Sequence, residues 1–140
     1  MTVTMFKAKL HPLRVTQAEL YYEGSITIDE ELLEAAGILP YEKVQVVNVN
    51  NGARLETYTI AAERGSRIVC MNGPAARLAS EGDRIIVICY ADMSPAEAKN
   101  HRPRVVLIDK NNDPKEIIDL NDGVHQADPA KEFSIELFTS

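Results

Sequence analysis

Six or seven short runs of β-branched, aromatic and aliphatic residues divide this chain of 140 residues, and a Gly-, Asn- or Pro-containing turn closes most of them. Such a succession points to a small β-barrel rather than to alternating βαβ units. The runs fall at residues 3–10, 21–28, 44–49, 54–61, 68–71, 85–90 and 104–108. His11-Pro12 reads as a break after the first, with a short extended piece over 13–20. The run at 85–90 is apolar on both faces, as a central strand would be. Asn50-Asn51-Gly52 is a hairpin signal, because Asn and Gly accept positive φ. The clearest helix opens on Asp29 as N-cap, carries Glu30 and Glu31 in its first turn, presents Leu32, Leu33, Ala35 and Ala36, and stops at Gly37. Ser94-Pro95-Ala96-Glu97 opens a second short helix with proline at its first position. The expected class is therefore mainly β with a few short helices.

Charge narrows the partners. The net charge is −6 and no stripe of Lys and Arg forms, which argues against nucleic acid or an anionic membrane. An anionic small molecule is still compatible, since a few local cations can outweigh the global field. Cys70 and Cys89 lie in apolar runs without CxxC spacing and read as reduced core residues. The N-terminus has no signal-peptide design and no apolar run reaches membrane-spanning length, so a cytoplasmic protein is expected. Phosphate-loop and hydrolase-elbow motifs are absent, and His11, His101 and His125 are too scattered for a metal site.

One run stands apart. Tyr21-Tyr22-Glu23-Gly24-Ser25-Ile26-Thr27 sets a glycine inside a strand pattern, which is costly unless the backbone must bend or be approached closely. The ordinary reading is a bulge. The chemical reading is that the Ser25 hydroxyl attacks the carbonyl of Gly24, which has no Cβ to obstruct it.

The surrounding blocks resemble the aspartate 1-decarboxylase family, the pyruvoyl-dependent enzymes that make β-alanine for pantothenate synthesis. They are Lys7-Ala8-Lys9-Leu10-His11, Tyr22-Glu23-Gly24-Ser25, Ala35-Ala36-Gly37-Ile38, Thr57-Tyr58, Ala61-Ala62-Glu63-Arg64-Gly65-Ser66 and Asn72-Gly73-Pro74-Ala75-Ala76. The likeness covers about the first 110 residues in the family's order and spacing. It implies a double-psi β-barrel assembled as a homotetramer, with active sites between subunits. It also implies that the chain cuts itself between Gly24 and Ser25. Ser25 then becomes a covalent pyruvoyl group that forms a Schiff base with L-aspartate.

The resemblance also assigns roles that the residue chemistry suits. Thr57 is the donor to the oxyanion that forms on Gly24, worth about 3 kcal/mol. Tyr58 is the proton donor, as a phenol stays protonated at neutral pH. Arg54 can grip a carboxylate bidentately and Lys9 can add a point charge. The side-chain carboxylate is the favoured anchor, since a firm hold on the α-carboxylate would oppose its loss as CO2. Asn72, Gly73, Pro74 and Ala75 are expected around the substrate, with Tyr22 and His11 near the same site. Period-two alternation puts Thr57 on the opposite face of its strand from Arg54 and Tyr58, a conflict to be met by a twist, an irregular backbone or a site fed by two subunits.

The barrel domain is expected over residues 1–115 and an acidic extension over 116–140, flexible or docked on a neighbouring subunit. Maturation is compatible with spontaneous cleavage or with an accessory maturation factor. Two other functions stay open: a pyruvoyl enzyme for another acidic amino acid, and a non-catalytic barrel used as a binding module.

Overall fold

A computed structural model describes residues 1–120. Its strands are β1 (Val3–Arg14), β2 (Gln17–Glu19), β3 (Ser25–Asp29), β4 (Lys43–Asn48), β5 (Arg54–Ala62), β6 (Val69–Asn72), β7 (Arg84–Met93), β8 (Arg104–Ile108) and β9 (Pro114–Asp119). Helices α1 (Glu30–Ala36) and α2 (Pro95–Lys99) and a 3-10 turn at Gly73–Arg77 complete it. The strands lie in the order β2-β6-β3-β5-β4-β7-β1-β8-β9. The chain between β1 and β2 closes this order into a ring. Val15 exchanges backbone hydrogen bonds with Gly82 and Asp83 ahead of β7, and the Thr16 N–H donates to the Val69 carbonyl at the start of β6. The continuous β1–β2 segment thus joins β7 to β6, and β8 with β9 adds a hairpin outside β1. Parallel ladders pair β3 with β5 and β2 with β6, each between strands that are not consecutive. The fold is the mainly β, double-psi barrel class expected above.

Inside the ring, alternate residues of each strand meet. Leu10, Val46 and Val87 lie in one cross-strand row and are buried, as are Ile26 and Met71 in another. Leu32 and Leu33 of α1 join the same core. Each such side chain contributes about 1.5–3 kcal/mol through removal from water. Cys70 and Cys89 are buried and free. α1 is capped as its sequence predicts: the Asp29 carboxylate accepts from the Glu31 N–H at 2.8 Å, and Gly37 turns left-handed at φ 73°. Asp29 also accepts from the backbone of Gly65 and Arg67 and from the Arg67 guanidinium. Its burial alone would raise the carboxyl pKa, but these donors hold it below the usual value.

Three expectations are corrected. β1 does not end at His11-Pro12 but runs on to Arg14, with a register shift between Leu10 and Leu13 that accommodates a residue without a backbone N–H. Residues 21–24 are not strand: β3 begins at Ser25, and Gly24 stands at its entrance rather than in its middle. β7 is the central strand expected, paired with β4 and β1; Ile85, Val87 and Cys89 face the core, and Ile86 and Ile88 face outward and are half-buried. Residues 116–119, expected in the acidic extension, belong to β9, which pairs with β8 and carries the sheet past residue 115 to Asp119. Residues 121–140, where the rest of the acidic extension was expected, lie outside the described residues.

Candidate active site

Ser25 opens β3 and sits directly across from Asn72, the last residue of β6. Although it is on the outward face of the barrel, it is fully buried, because the 21–24 bend and the Gly73–Arg77 turn cover it. Its hydroxyl oxygen accepts from Asn72 Nδ2 at 2.9 Å and lies 3.5 Å from the Glu23 carbonyl. The cover depends on Gly73. At φ +66° a Cβ there would stand 2.7 Å from the Tyr22 carbonyl oxygen and 2.9 Å from Gly24 Cα and N. No side chain of any kind fits. The Pro74 ring packs beside Gly24, and Ala75 is buried beneath it. Tyr22 itself is exposed. Tyr22, Gly24, Ser25, Asn72, Gly73, Pro74 and Ala75 are therefore brought together within one chain.

The β5 residues reach this place by register. The β3–β5 ladder starts at Ile26 opposite Thr59, so counting back one residue on each strand sets Tyr58 level with Ser25, the first residue of β3. β5 pairs with β4 without a register shift from Arg54 to Tyr58, so no irregularity turns Thr57 round. Thr57 faces inward opposite Val44, while Tyr58 and Arg54 face outward. Thr57 and Tyr58 thus stay on opposite faces of β5, with no bulge between them to bring them together. Tyr58 is 37% exposed, enough for its phenol to meet a ligand from outside.

The cations lie farther off. Arg54 is exposed, and its Nη1 donates to Gln45 Oε1 at 2.6 Å, which also accepts from the Tyr90 hydroxyl. Lys9 occupies the row Lys9–Ile88–Gln45–Glu56 across β1, β7, β4 and β5. In the strand order, β7, β4 and β5 stand between Lys9 on β1 and Ser25 on β3. The Lys9 ammonium lies 5.5 Å from the Phe6 ring centroid. His11 follows on β1 but is 6% exposed, and burial with the nearby Lys9 charge lowers its pKa to about 4. The imidazole is neutral at pH 7. Among the described residues no group of three His, Cys, Asp or Glu could hold a metal ion.

Two residues that the sequence reading passed over complete the Ser25 neighbourhood. Thr27 Oγ1 accepts the second Asn72 N–H at 2.8 Å, and Cys70 Sγ donates to Asn72 Oδ1 at 3.1 Å. Period-two spacing was the available signal, since Thr27 is two residues from Ser25 and Cys70 two from Asn72.

The family model for aspartate decarboxylase matches residues 1–115. The chain belongs to the aspartate decarboxylase family. Similar relatives include the aspartate 1-decarboxylases of Salinibacter ruber, 72% identical over 113 residues, and of Chloroherpeton thalassium, 59% identical over 122. These alignments cover 81% of this chain and 77% of the first relative, and 87% and 90% for the second. Among solved structures, the rationally designed mkDPBB_sym1 protein gives a TM-score of 0.42 at 25% identity, over 62% of this chain and 96% of that one. Among the described residues no helix is long and apolar enough to cross a membrane.

Proposed function

We propose that this chain is a self-processing aspartate 1-decarboxylase that converts L-aspartate to β-alanine and CO2 for pantothenate synthesis. The observation that carries the reading is the cradle at Gly24–Ser25, a buried serine hydroxyl held by Asn72 beneath a glycine turn that leaves no space for a Cβ. The residues present fit a pyruvoyl group made in place from Ser25. When formed, that group supplies the electron sink that a decarboxylation at the α-carbon needs.

The chain's own residues do the rest. Thr57 donates to the oxygen on which negative charge builds when Ser25 Oγ attacks. Tyr58, level with Ser25, delivers a proton to the carbon that loses CO2, and its position at the protein surface lets substrate arrive from outside. Arg54 binds the substrate's side-chain carboxylate, with Gln45 bracing its guanidinium. Lys9 adds positive charge to the site from a second subunit. The outward half-buried Ile86 and Ile88 and the exposed Tyr90 give that subunit an apolar face to pack on. The reading includes a homotetramer with shared sites and a cytoplasmic location, and a maturation factor is compatible with so enclosed a serine.

Intact mass under denaturing conditions tests the reading. Two fragments parting at Gly24/Ser25 are expected, the larger lighter than a serine-started chain by the conversion to pyruvoyl. Ser25→Ala should give one uncut chain without decarboxylase activity; activity retained in that variant would overturn the proposal.

A further inference from the structure

Asn72 spends its whole amide on three side chains. One N–H goes to Ser25 Oγ, the other to Thr27 Oγ1, and the carbonyl accepts from the Cys70 thiol. The four side chains form one patch of the β3–β6 ladder, where Ser25 is paired with Asn72 and Thr27 with Cys70. Asn72 and Ser25 are buried, so water does not compete freely for these bonds. An isolated asparagine amide can turn over and exchange its N–H for its oxygen. Here the Cys70 thiol, donating to Oδ1, selects the orientation that aims an N–H at Ser25, and Thr27 Oγ1 accepts the other N–H and holds the amide in place.

We propose that Thr27 and Cys70 are positioning residues for self-cleavage, holding Asn72 so that its N–H points at the oxygen that leaves. The proposal rests on the self-processing reading above. In the first step Ser25 Oγ bonds to the Gly24 carbonyl carbon, the Gly24–Ser25 C–N bond breaks, and the hydroxyl proton ends on the Ser25 nitrogen. In the second, the Ser25 Cα proton passes to water acting as base and the Cβ–Oγ bond breaks. Oγ departs with the electron pair as part of the Gly24 carboxylate and leaves dehydroalanine. One water then hydrolyses this to pyruvoyl, releasing ammonia. Negative charge thus develops on Oγ in the second step. An N–H aimed at it stabilises that charge, whereas an amide turned over would present Oδ1 and oppose it.

The test uses full-length chains synthesised in bacterial extract and followed by denaturing mass. Hydroxylamine samples trap the ester, giving a Gly24 hydroxamate. Thr27→Val and Cys70→Ala should complete cleavage about tenfold or more slowly than wild type and accumulate hydroxylamine-sensitive ester. Thr27→Ser and Cys70→Ser, which keep the hydrogen-bonding group, should mature like wild type. Maturation of T27V and C70A at the wild-type rate would overturn the proposal. So would slowing that the serine variants share without ester accumulation, since that is loss of packing. If wild type itself forms neither ester nor fragments, the self-processing reading fails; if wild type matures and T27V keeps pace, only the positioning role fails.

Discussion

Replacing Gly73 by alanine puts a methyl group against backbone, and its cost can be worked from two parts. The first is conformational: a non-glycine residue at φ +66° loses about 1–2 kcal/mol relative to the right-handed region. The second is contact. The new Cβ would lie 2.7 Å from the Tyr22 carbonyl and 2.9 Å from Gly24 Cα and N, all backbone atoms that no rotamer change can withdraw. Overpacking of this kind costs about 1–3 kcal/mol more. The sum of about 2–5 kcal/mol corresponds to a fall in Tm of about 8–20 °C for a domain this size. Gly52→Ala is the matched control, because Gly52 has φ +75° and nothing within 4 Å of the place its new methyl would take. It should lose only the conformational part. Thermal melts of the two variants therefore isolate the contact, and denaturing mass reports whether displacement of Tyr22–Gly24 also slows cleavage. A G73A protein as stable as G52A and cleaved at the wild-type rate would refute the idea that the turn is seated on the scissile peptide.

His11 gives a pH signature. Its folded pKa of about 4 lies below the ordinary 6.5, so its neutral form is favoured by folding. The contribution is complete above pH 6.5 and is lost as pH falls from 6.5 to 4, reaching about 3 kcal/mol. Urea midpoints across that range should fall in wild type and flatten in His11→Phe; parallel slopes would show that another group titrates. Tyr58→Phe should leave cleavage intact while lowering decarboxylation at least about tenfold. Equal activity in the mature Y58F protein would remove the phenol from the proton-transfer step.

Local signals were legible in the residues themselves. The cap at Asp29, the stop at Gly37, the Asn50-Asn51-Gly52 hairpin and the capping box of α2 are decided by groups a few residues apart, and short-range chemistry carries them. Strand alternation likewise separated Thr57 from Tyr58. The corrections concern which strands and turns meet. Residues 116–119 read as part of an acidic extension until the neighbouring β8 offers its edge. Gly24 looks like mid-strand until Gly73, 49 positions away, presses on its backbone. Alternation could place Thr57 and Tyr58 on opposite faces but could not say which neighbour stands beside each, since register is set by the partner strand. By itself, then, the sequence determined the β character, the caps and turns, and the place of the Gly24-Ser25 pair. Only the tertiary structure decided that Ser25 is buried under a glycine turn, that Asn72 bonds Ser25, Thr27 and Cys70 at once, and that β7, β4 and β5 stand between Lys9 and Ser25 in the strand order, because these depend on which strands the closing barrel makes neighbours.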